Sequence, residues 1–212
     1  MNEVLQAVLN EKIIVICRGL YNEELHSTVE ALFKGGIRCF EVTFDQSDSD
    51  CENKTFNAIR MLVEYFPEAY IGAGTVITKS QLMKAYDAGA KYIISPNTNA
   101  SIIEQTKKLG LLSVPGATTP SEILQAHEYG ADIVKIFPSN ALGIKYISDL
   151  MGPLNHIKFL VAAGINEDNI NDYSRIGCVG FGISGRLTDR TLIKNKCFNE
   201  LTKRAENMIS KL

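Results

Sequence analysis

The chain has 212 residues, a length that suits one domain with a sizeable core and falls slightly short of the ~250 residues typical of an eightfold βα barrel. Its formal net charge of −2 and its isoelectric point near 6.0 provide no broad field for nucleic acid or anionic lipid, so neither is an expected partner. A small-molecule substrate or a protein partner remains.

Eight short apolar runs, rich in β-branched residues, alternate along the chain with segments of helical spacing. We predict strands over residues 12–18, 37–44, 70–75, 91–95, 111–114, 132–137, 157–161 and 178–183. Strict alternation implies parallel pairing, and eight units favour an α/β fold closed as a (β/α)₈ TIM barrel over an open doubly wound sheet. No linker of biased composition divides the chain, so residues 1–212 are expected to form a single barrel domain.

The junctions between the predicted helices and strands carry recognisable boundary residues. Thr78, and Thr119 before Pro120 with Glu122 nearby, suit the N-cap position of a helix. Glycine ends a helical segment just before a strand in five places, where a left-handed C-cap is expected: Gly35-Gly36, Gly89, Gly110, Gly130 and Gly177.

Two predicted strands carry a charged residue near their middle, which is unusual because the strands of a parallel barrel are covered on both faces. The alternation of a strand places Glu41 and Thr43 on one face of the second strand, and Lys135 lies alone among large apolar residues of the sixth. Other polar or special residues mark the C-terminal ends of strands, where barrel enzymes carry their chemistry: Arg18, Thr75, Ser95-Pro96 and Pro115-Gly116.

Lys135 and Glu41 predict a catalytic pair in the mouth of the barrel. Burial lowers the pKa of a lysine, which leaves free amine to attack a ketone carbonyl. An apolar setting raises the pKa of a glutamate toward the range useful for proton transfer. The alternative is a purely structural ion pair between Lys135 and Glu41 that joins the second and sixth strands.

Glycine-rich segments follow the seventh and eighth strands, where barrels frequently bind phosphate through backbone N–H groups. The candidate phosphate-binding residues are Ala163, Gly164, Gly182, Ser184 and Gly185. Glycines at strand ends also serve tight turns, and that alternative stays open.

The histidines and cysteines predict neither a metal centre nor disulfides. His26, His127 and His156 lack any metal-binding spacing and are expected at the surface. The five cysteines are odd in number and lack C-x-x-C spacing, which indicates reduced thiols. Because the first residues show no secretory pattern and no apolar run could cross a bilayer, we expect a cytoplasmic protein.

Six ordered blocks of sequence resemble the 2-keto-3-deoxy-6-phosphogluconate (KDPG) and 4-hydroxy-2-oxoglutarate (KHG) aldolases, and they extend over nearly the whole chain. They are Gly35-Gly36, Glu41-Val42-Thr43-Phe44, Gly72-Ala73-Gly74-Thr75-Val76, Ile94-Ser95-Pro96, Pro115-Gly116 with Thr119-Pro120-Ser121-Glu122, and Lys135-Ile136-Phe137-Pro138.

The resemblance implies a role for each matching residue. Lys135 would form a Schiff base with the substrate, and Glu41 would act as acid and base through water. Arg18 and Thr75 would bind the pyruvyl carboxylate, while Pro96 and Phe137 would shape the pyruvate pocket. It also implies a metal-independent barrel without a cofactor, usually a homotrimer, that reversibly cleaves a 2-oxo-4-hydroxy acid to pyruvate and an aldehyde. For a KDPG-like substrate that aldehyde is glyceraldehyde 3-phosphate.

Three segments depart from the family pattern and bear on the substrate. Val161-Ala162-Ala163-Gly164 replaces the usual P-T-G-G, Ser184-Gly185 reverses the usual Gly-Ser order, and Asp45-Gln46-Ser47-Asp48 lacks an arginine that some members carry. Cleavage of 4-hydroxy-2-oxoglutarate or of the galactonate-derived phosphate therefore stays an alternative. A third alternative is an inactive barrel that binds a sugar phosphate.

Overall fold

In the computed structural model, residues 3–212 are described, and they contain ten helices and nine strands. Residues 1 and 2, which the predicted domain includes, lie outside this range. The strands are β1 (Ile13–Cys17), β2 (Cys39–Thr43), β3 (Tyr70–Gly74), β4 (Tyr92–Ile94), β5 (Leu112–Val114), β6 (Gly116–Ala117), β7 (Val134–Ile136), β8 (Phe159–Ala162) and β9 (Gly180–Ile183). The helices are α1 (Glu3–Glu11), α2 (Asn22–Lys34), α3 (Cys51–Tyr65), α4 (Lys79–Asp87), α5 (Ala100–Lys108), α6 (Pro120–Glu128), α7 (Ser139–Met151), α8 (Ile170–Arg175), α9 (Arg190–Lys194) and α10 (Phe198–Ile209).

The nine strands form one parallel sheet in the order β5-β4-β3-β2-β1-β9-β8-β7-β6. The two ends of this order, β5 and β6, are separated in sequence by Pro115 alone, which has no N–H to donate to the ladder. The predicted fifth strand, residues 111–114, corresponds to β5, and β6 continues the same segment of chain beyond Pro115. The backbone N–H of Asp132 donates to the Ser113 carbonyl (3.0 Å) and that of Lys135 donates to the Pro115 carbonyl (2.8 Å). These bonds close the ring, and the predicted (β/α)₈ TIM barrel is confirmed.

Alternate residues of each strand face two separate apolar cores. The smaller core fills the barrel and includes Ile14, Cys39, Tyr92, Leu112 and Leu160. The larger core lies between the strands and the surrounding helices, and it takes the alternate residues of the same strands. Because Glu41 and Thr43 share the strand face of Cys39, both point into the barrel.

The predicted helix boundaries are confirmed. Thr78 and Thr119 each form a capping box, in which the threonine side chain and the side chain at the third helical position bond to each other's backbone N–H. The glycines that end the five predicted helices have left-handed φ values of 75° to 105°: Gly36, Gly89, Gly110, Gly130 and Gly177. These turns direct each chain segment from the outer helix ring back into the sheet.

Candidate active site

A cavity of about 400 Å³ opens at the C-terminal ends of the strands. All the residues predicted for catalysis and pyruvate binding line it: Arg18, Glu41, Thr75, Pro96, Lys135 and Phe137. The remaining wall consists of Ile16, Ala162, Ala163 and Ser184. The parallel topology brings together residues that lie up to 168 positions apart in sequence, from Ile16 to Ser184, because every strand ends at the same rim.

Lys135 is positioned by β7, where it pairs with Gly116 on one side and Leu160 on the other. The residue is 8% exposed, and its Nζ lies 5.0 Å from the centre of the Phe137 ring. Burial lowers the pKa of Lys135 below its ordinary value, although the Glu41 carboxylate acts in the opposite direction. The lysine is therefore more easily deprotonated than one in water.

Glu41 occupies space that a glycine leaves free. It is 3% exposed and pairs with Gly72, and its carboxylate lies over Gly74, where an added Cβ would be 1.6 Å from Oε1. Burial raises the pKa of Glu41, while the charges of Lys135 and Arg18 act in the opposite direction. The carboxyl group can thus gain and release a proton nearer to neutral pH than an exposed glutamate.

Lys135 and Glu41 face the same cavity without a direct ion pair. The eight ion pairs of 4.0 Å or less that form within residues 3–212 do not include these two side chains. Each nonetheless shifts the pKa of the other, so their charges interact across the cavity. The structural ion pair considered as an alternative is therefore not the arrangement found.

Arg18 and Thr75 stand together at the rim beside the lysine. The Arg18 guanidinium donates to the Thr75 hydroxyl at 3.2 Å, and the Arg190 guanidinium donates to the Arg18 backbone carbonyl. Gly19, at φ +62°, leaves the room that the Arg190 side chain occupies. A guanidinium and a hydroxyl so arranged suit a small carboxylate.

A second cavity, of about 310 Å³, adjoins the first through Ala163 and Ser184, which line both. All the predicted phosphate-binding residues line this outer cavity: Ala163, Gly164, Gly182, Ser184 and Gly185. Ala163 and Gly164 both have φ +78°, which turns the backbone sharply after β8. The Ser139 hydroxyl lies 2.8 Å from the Ala162 carbonyl and 2.8 Å from the Ala163 carbonyl and so fixes this turn.

Arg186 is a residue of the outer cavity that the sequence interpretation missed. It lines the cavity two positions after Ser184, and its guanidinium is hydrogen-bonded to the Glu167 carboxylate. The signal that could have identified Arg186 from the sequence is a basic residue in the loop after the last strand. It supplies a positive charge beside a backbone that already suits an anion.

No cysteine or histidine among the described residues lines either cavity. Burial raises the pKa of Cys17 to about 12, which makes it a core thiol, and all five cysteines are free. His127 and His156 form an edge-on pair with ring centres 5.1 Å apart, a contact that their sequence spacing does not reveal.

Within residues 3–212, no cluster of three or more His, Cys, Asp or Glu residues is arranged for a metal ion. No helix in that range is long and apolar enough to span a membrane.

Comparison with known proteins identifies related enzymes. The family model for KDPG and KHG aldolases matches residues 4–204. The KHG/KDPG aldolase of Escherichia coli K12 is 33% identical over 155 residues, 71% of this chain and 70% of that protein. The 2-dehydro-3-deoxy-6-phosphogalactonate aldolase of the same organism is 30% identical and covers 82% of this chain and 83% of its own length.

A solved structure extends this similarity to the three-dimensional fold. The KDPG aldolase of Legionella pneumophila, solved with pyruvate captured as a covalent carbinolamine intermediate, superposes with a TM-score of 0.85. It is 28% identical in sequence, and the match covers 96% of this chain and 97% of that protein.

Proposed function

The chain belongs to the KDPG and KHG aldolase family and is an aldolase, a carbon–carbon lyase. On that premise we propose that Lys135 and Glu41 carry out a class I cleavage of a 2-keto-3-deoxy-6-phospho sugar acid to pyruvate and glyceraldehyde 3-phosphate. The observation that carries this proposal is the joint placement of a buried lysine and a buried glutamate in the 400 Å³ cavity, without an ion pair between them.

Lys135 acts as the nucleophile in the first step. Its free amine adds to the ketone carbon of the substrate to give a carbinolamine, and protonation of the carbinolamine hydroxyl with loss of water then leaves a cationic iminium. The lowered pKa of Lys135 supports this role because only the unprotonated amine is a nucleophile. The covalent pyruvate carbinolamine in the Legionella pneumophila enzyme supports the same chemistry.

Bond cleavage and proton transfer follow. The C3–C4 bond breaks, its electron pair moves into the iminium to give an enamine, and the aldehyde departs as the C4 hydroxyl loses its proton. Glu41 accepts that proton through water and later returns one to C3, after which water releases pyruvate and restores the amine. The raised pKa of Glu41 suits a group that must act in both directions.

The other lining residues orient the substrate. Arg18 and Thr75 hold the carboxylate, so that the neighbouring ketone carbon points at Lys135. Pro96 and Phe137 provide the apolar walls that exclude water from the iminium.

The outer cavity supports a phosphorylated substrate. It joins the inner cavity through Ala163 and Ser184, and it offers the turn at Gly164, the segment Gly182–Gly185 and the Arg186 guanidinium. A phosphate at the far end of the sugar acid would bind there while the ketone remained beside Lys135. To engage such a phosphate, Arg186 must exchange its bond to Glu167.

The galactonate-derived phosphate is the second candidate substrate. Ala162 presents a methyl group to the inner cavity where many family members have a threonine hydroxyl. One of the two related E. coli K12 enzymes is named a phosphogalactonate aldolase. The two sugar acids differ in configuration at C4, the carbon released as aldehyde. Initial rates with both phosphates and with 4-hydroxy-2-oxoglutarate would separate the candidates.

Trapping with borohydride tests the proposal directly. Wild-type protein incubated with pyruvate and borohydride should gain one reduced pyruvate unit, which peptide mapping should place on Lys135, while Lys135→Ala should gain none and lose turnover. A folded wild-type protein without an adduct, or with its adduct on another lysine, would refute the assignment.

We also propose that a homotrimer in the cytoplasm is the working form. Five free thiols fit a reducing compartment. Large apolar side chains exposed between the end of β3 and α7 support an interface between copies: Ile77, Met83, Tyr86, Leu124, Phe137 and Ile144. Light scattering at several concentrations would give the mass of the assembly.

A further inference from the structure

Thr75 has a backbone conformation that its side chain disfavours. Its φ is +58°, the left-handed region that β-branched residues rarely enter because Cβ approaches the backbone. Such a conformation persists only where surrounding contacts impose it, and it commonly lies at a functional site. Thr75 lies in the wall of the inner cavity, so its local geometry affects the site directly.

The backbone on either side of Thr75 is held in the barrel. The Phe44 N–H donates to the Gly74 carbonyl at 2.9 Å, and the Val76 N–H donates to the Ile94 carbonyl at 3.3 Å. The Ser95 hydroxyl also donates to the Val76 carbonyl at 2.7 Å. The Val76 N–H and the Thr75 carbonyl belong to the same peptide group, so the backbone holds that group only through the 3.3 Å bond to Ile94, the longest of the three.

A pair of glutamines bonds to that peptide group. The Gln46 side-chain amide donates to the Thr75 carbonyl at 2.9 Å, and its amide oxygen accepts from the Gln81 side chain, also at 2.9 Å. Gln81 is 4% exposed, and its own oxygen accepts from the N–H groups of Ile77 and Thr78 at the start of α4. A chain of hydrogen bonds therefore connects a helix N-terminus to Thr75.

The loop that carries Gln46 is itself ordered by local contacts. The Asp45 carboxylate accepts from the backbone N–H and the hydroxyl of Ser47, and the Asp48 N–H donates to the Asp45 carbonyl. The Asp48 carboxylate accepts in turn from the Asp50 N–H. Gln46 lies inside this turn, so its amide is aimed at Thr75 although the residue is at the surface.

We propose that Gln46, supported by Gln81, is a positioning residue that holds Thr75 in its left-handed conformation and thereby aims the Thr75 hydroxyl at the substrate carboxylate. This inference rests on the proposed function, in which Thr75 and Arg18 bind that carboxylate. Without the amide, only the 3.3 Å bond of the Val76 N–H holds the peptide group between Thr75 and Val76. Thr75 can then relax away from its left-handed conformation, and its hydroxyl leaves the Arg18 guanidinium.

The experiment measures pyruvate binding separately from chemistry. Adduct on Lys135 is quantified by intact mass after borohydride reduction over a range of pyruvate concentrations. For Gln46→Leu we expect the half-saturating concentration to rise about fivefold to tenfold, the loss of one positioning hydrogen bond, with full labelling at saturation. Gln125→Leu removes another exposed glutamine, on α6, and should leave the wild-type value unchanged.

A second background separates positioning from a direct contact. Glycine adopts a positive φ without strain, so the bond from Gln46 is not needed to hold the backbone in Thr75→Gly. Adding Gln46→Leu to that variant should therefore change the half-saturating concentration less than twofold. Wild-type affinity in Gln46→Leu, or an equal loss in both backgrounds, would overturn the proposal. Absence of any adduct in the wild-type protein would refute the proposed function as well, and so the two failures are distinguishable.

Discussion

Replacement of Gly74 by alanine tests whether the Glu41 carboxylate is held where the structure places it. The new methyl group would lie 1.6 Å from Oε1, 2.4 Å from Cδ and 2.6 Å from Cγ of Glu41. Because ordinary contacts are about 3.5 Å, the carboxylate must retreat by roughly 2 Å. Misplacement by ~1 Å costs about 100-fold in rate, so kcat should fall at least that far. Overpacking should also lower the free energy of unfolding by about 1–3 kcal/mol.

Pyruvate release from phosphorylated 2-keto-3-deoxy acids, followed with lactate dehydrogenase, gives the rate, and urea unfolding gives the stability. Gly152→Ala is the matched control, because its added Cβ would meet nothing closer than the Asp149 carbonyl at 3.8 Å. In a Glu41→Ala background the methyl group has room, so Gly74→Ala should then cost almost no stability. Wild-type kcat in Gly74→Ala, or an undiminished stability loss in the Glu41→Ala background, would refute this reasoning.

Two further predictions concern pH and backbone strain. Glu41→Gln removes the negative charge that raises the pKa of Lys135, so that pKa should fall further and the midpoint of pyruvate trapping should move to lower pH. Trapping with cyanoborohydride across pH would measure it, and a midpoint that stays or rises contradicts the coupling. Ala163→Gly relieves the φ of +78° and should stabilise the fold by about 0.5–1 kcal/mol in urea unfolding. A loss of stability would show that the alanine methyl group packs favourably there.

The sequence predicted the fold well because its signals are local and repeated. Five glycines before strands each adopt the left-handed conformation expected of a C-cap, and Thr78 and Thr119 form the expected caps. The split of the fifth strand was not predicted. Pro115 was interpreted as a marker of the rim, whereas its missing N–H also breaks the hydrogen-bond ladder within the strand.

The members of the candidate site were predictable, but their mutual geometry was not. A charge in an apolar strand identified Glu41 and Lys135, and the parallel topology implied that both reach one rim. Whether they touch depends on side-chain paths such as that of Glu41 over Gly74, which no sequence pattern encodes. The bond from Gln46 to Thr75 likewise depends on a left-handed threonine, a conformation that residue type alone argues against.

The closure of the sheet at Pro115 also affects how the molecule behaves in concentrated solution. An open parallel sheet has two outer strands whose free N–H and C=O groups can pair with another chain and seed aggregates. Here the outer strands are the two halves of one strand, and the Ser113 and Pro115 carbonyls already accept from Asp132 and Lys135. Within residues 3–212 the closed sheet thus offers no row of unpaired strand groups to a neighbour, and aggregation through strand pairing should require unfolding first.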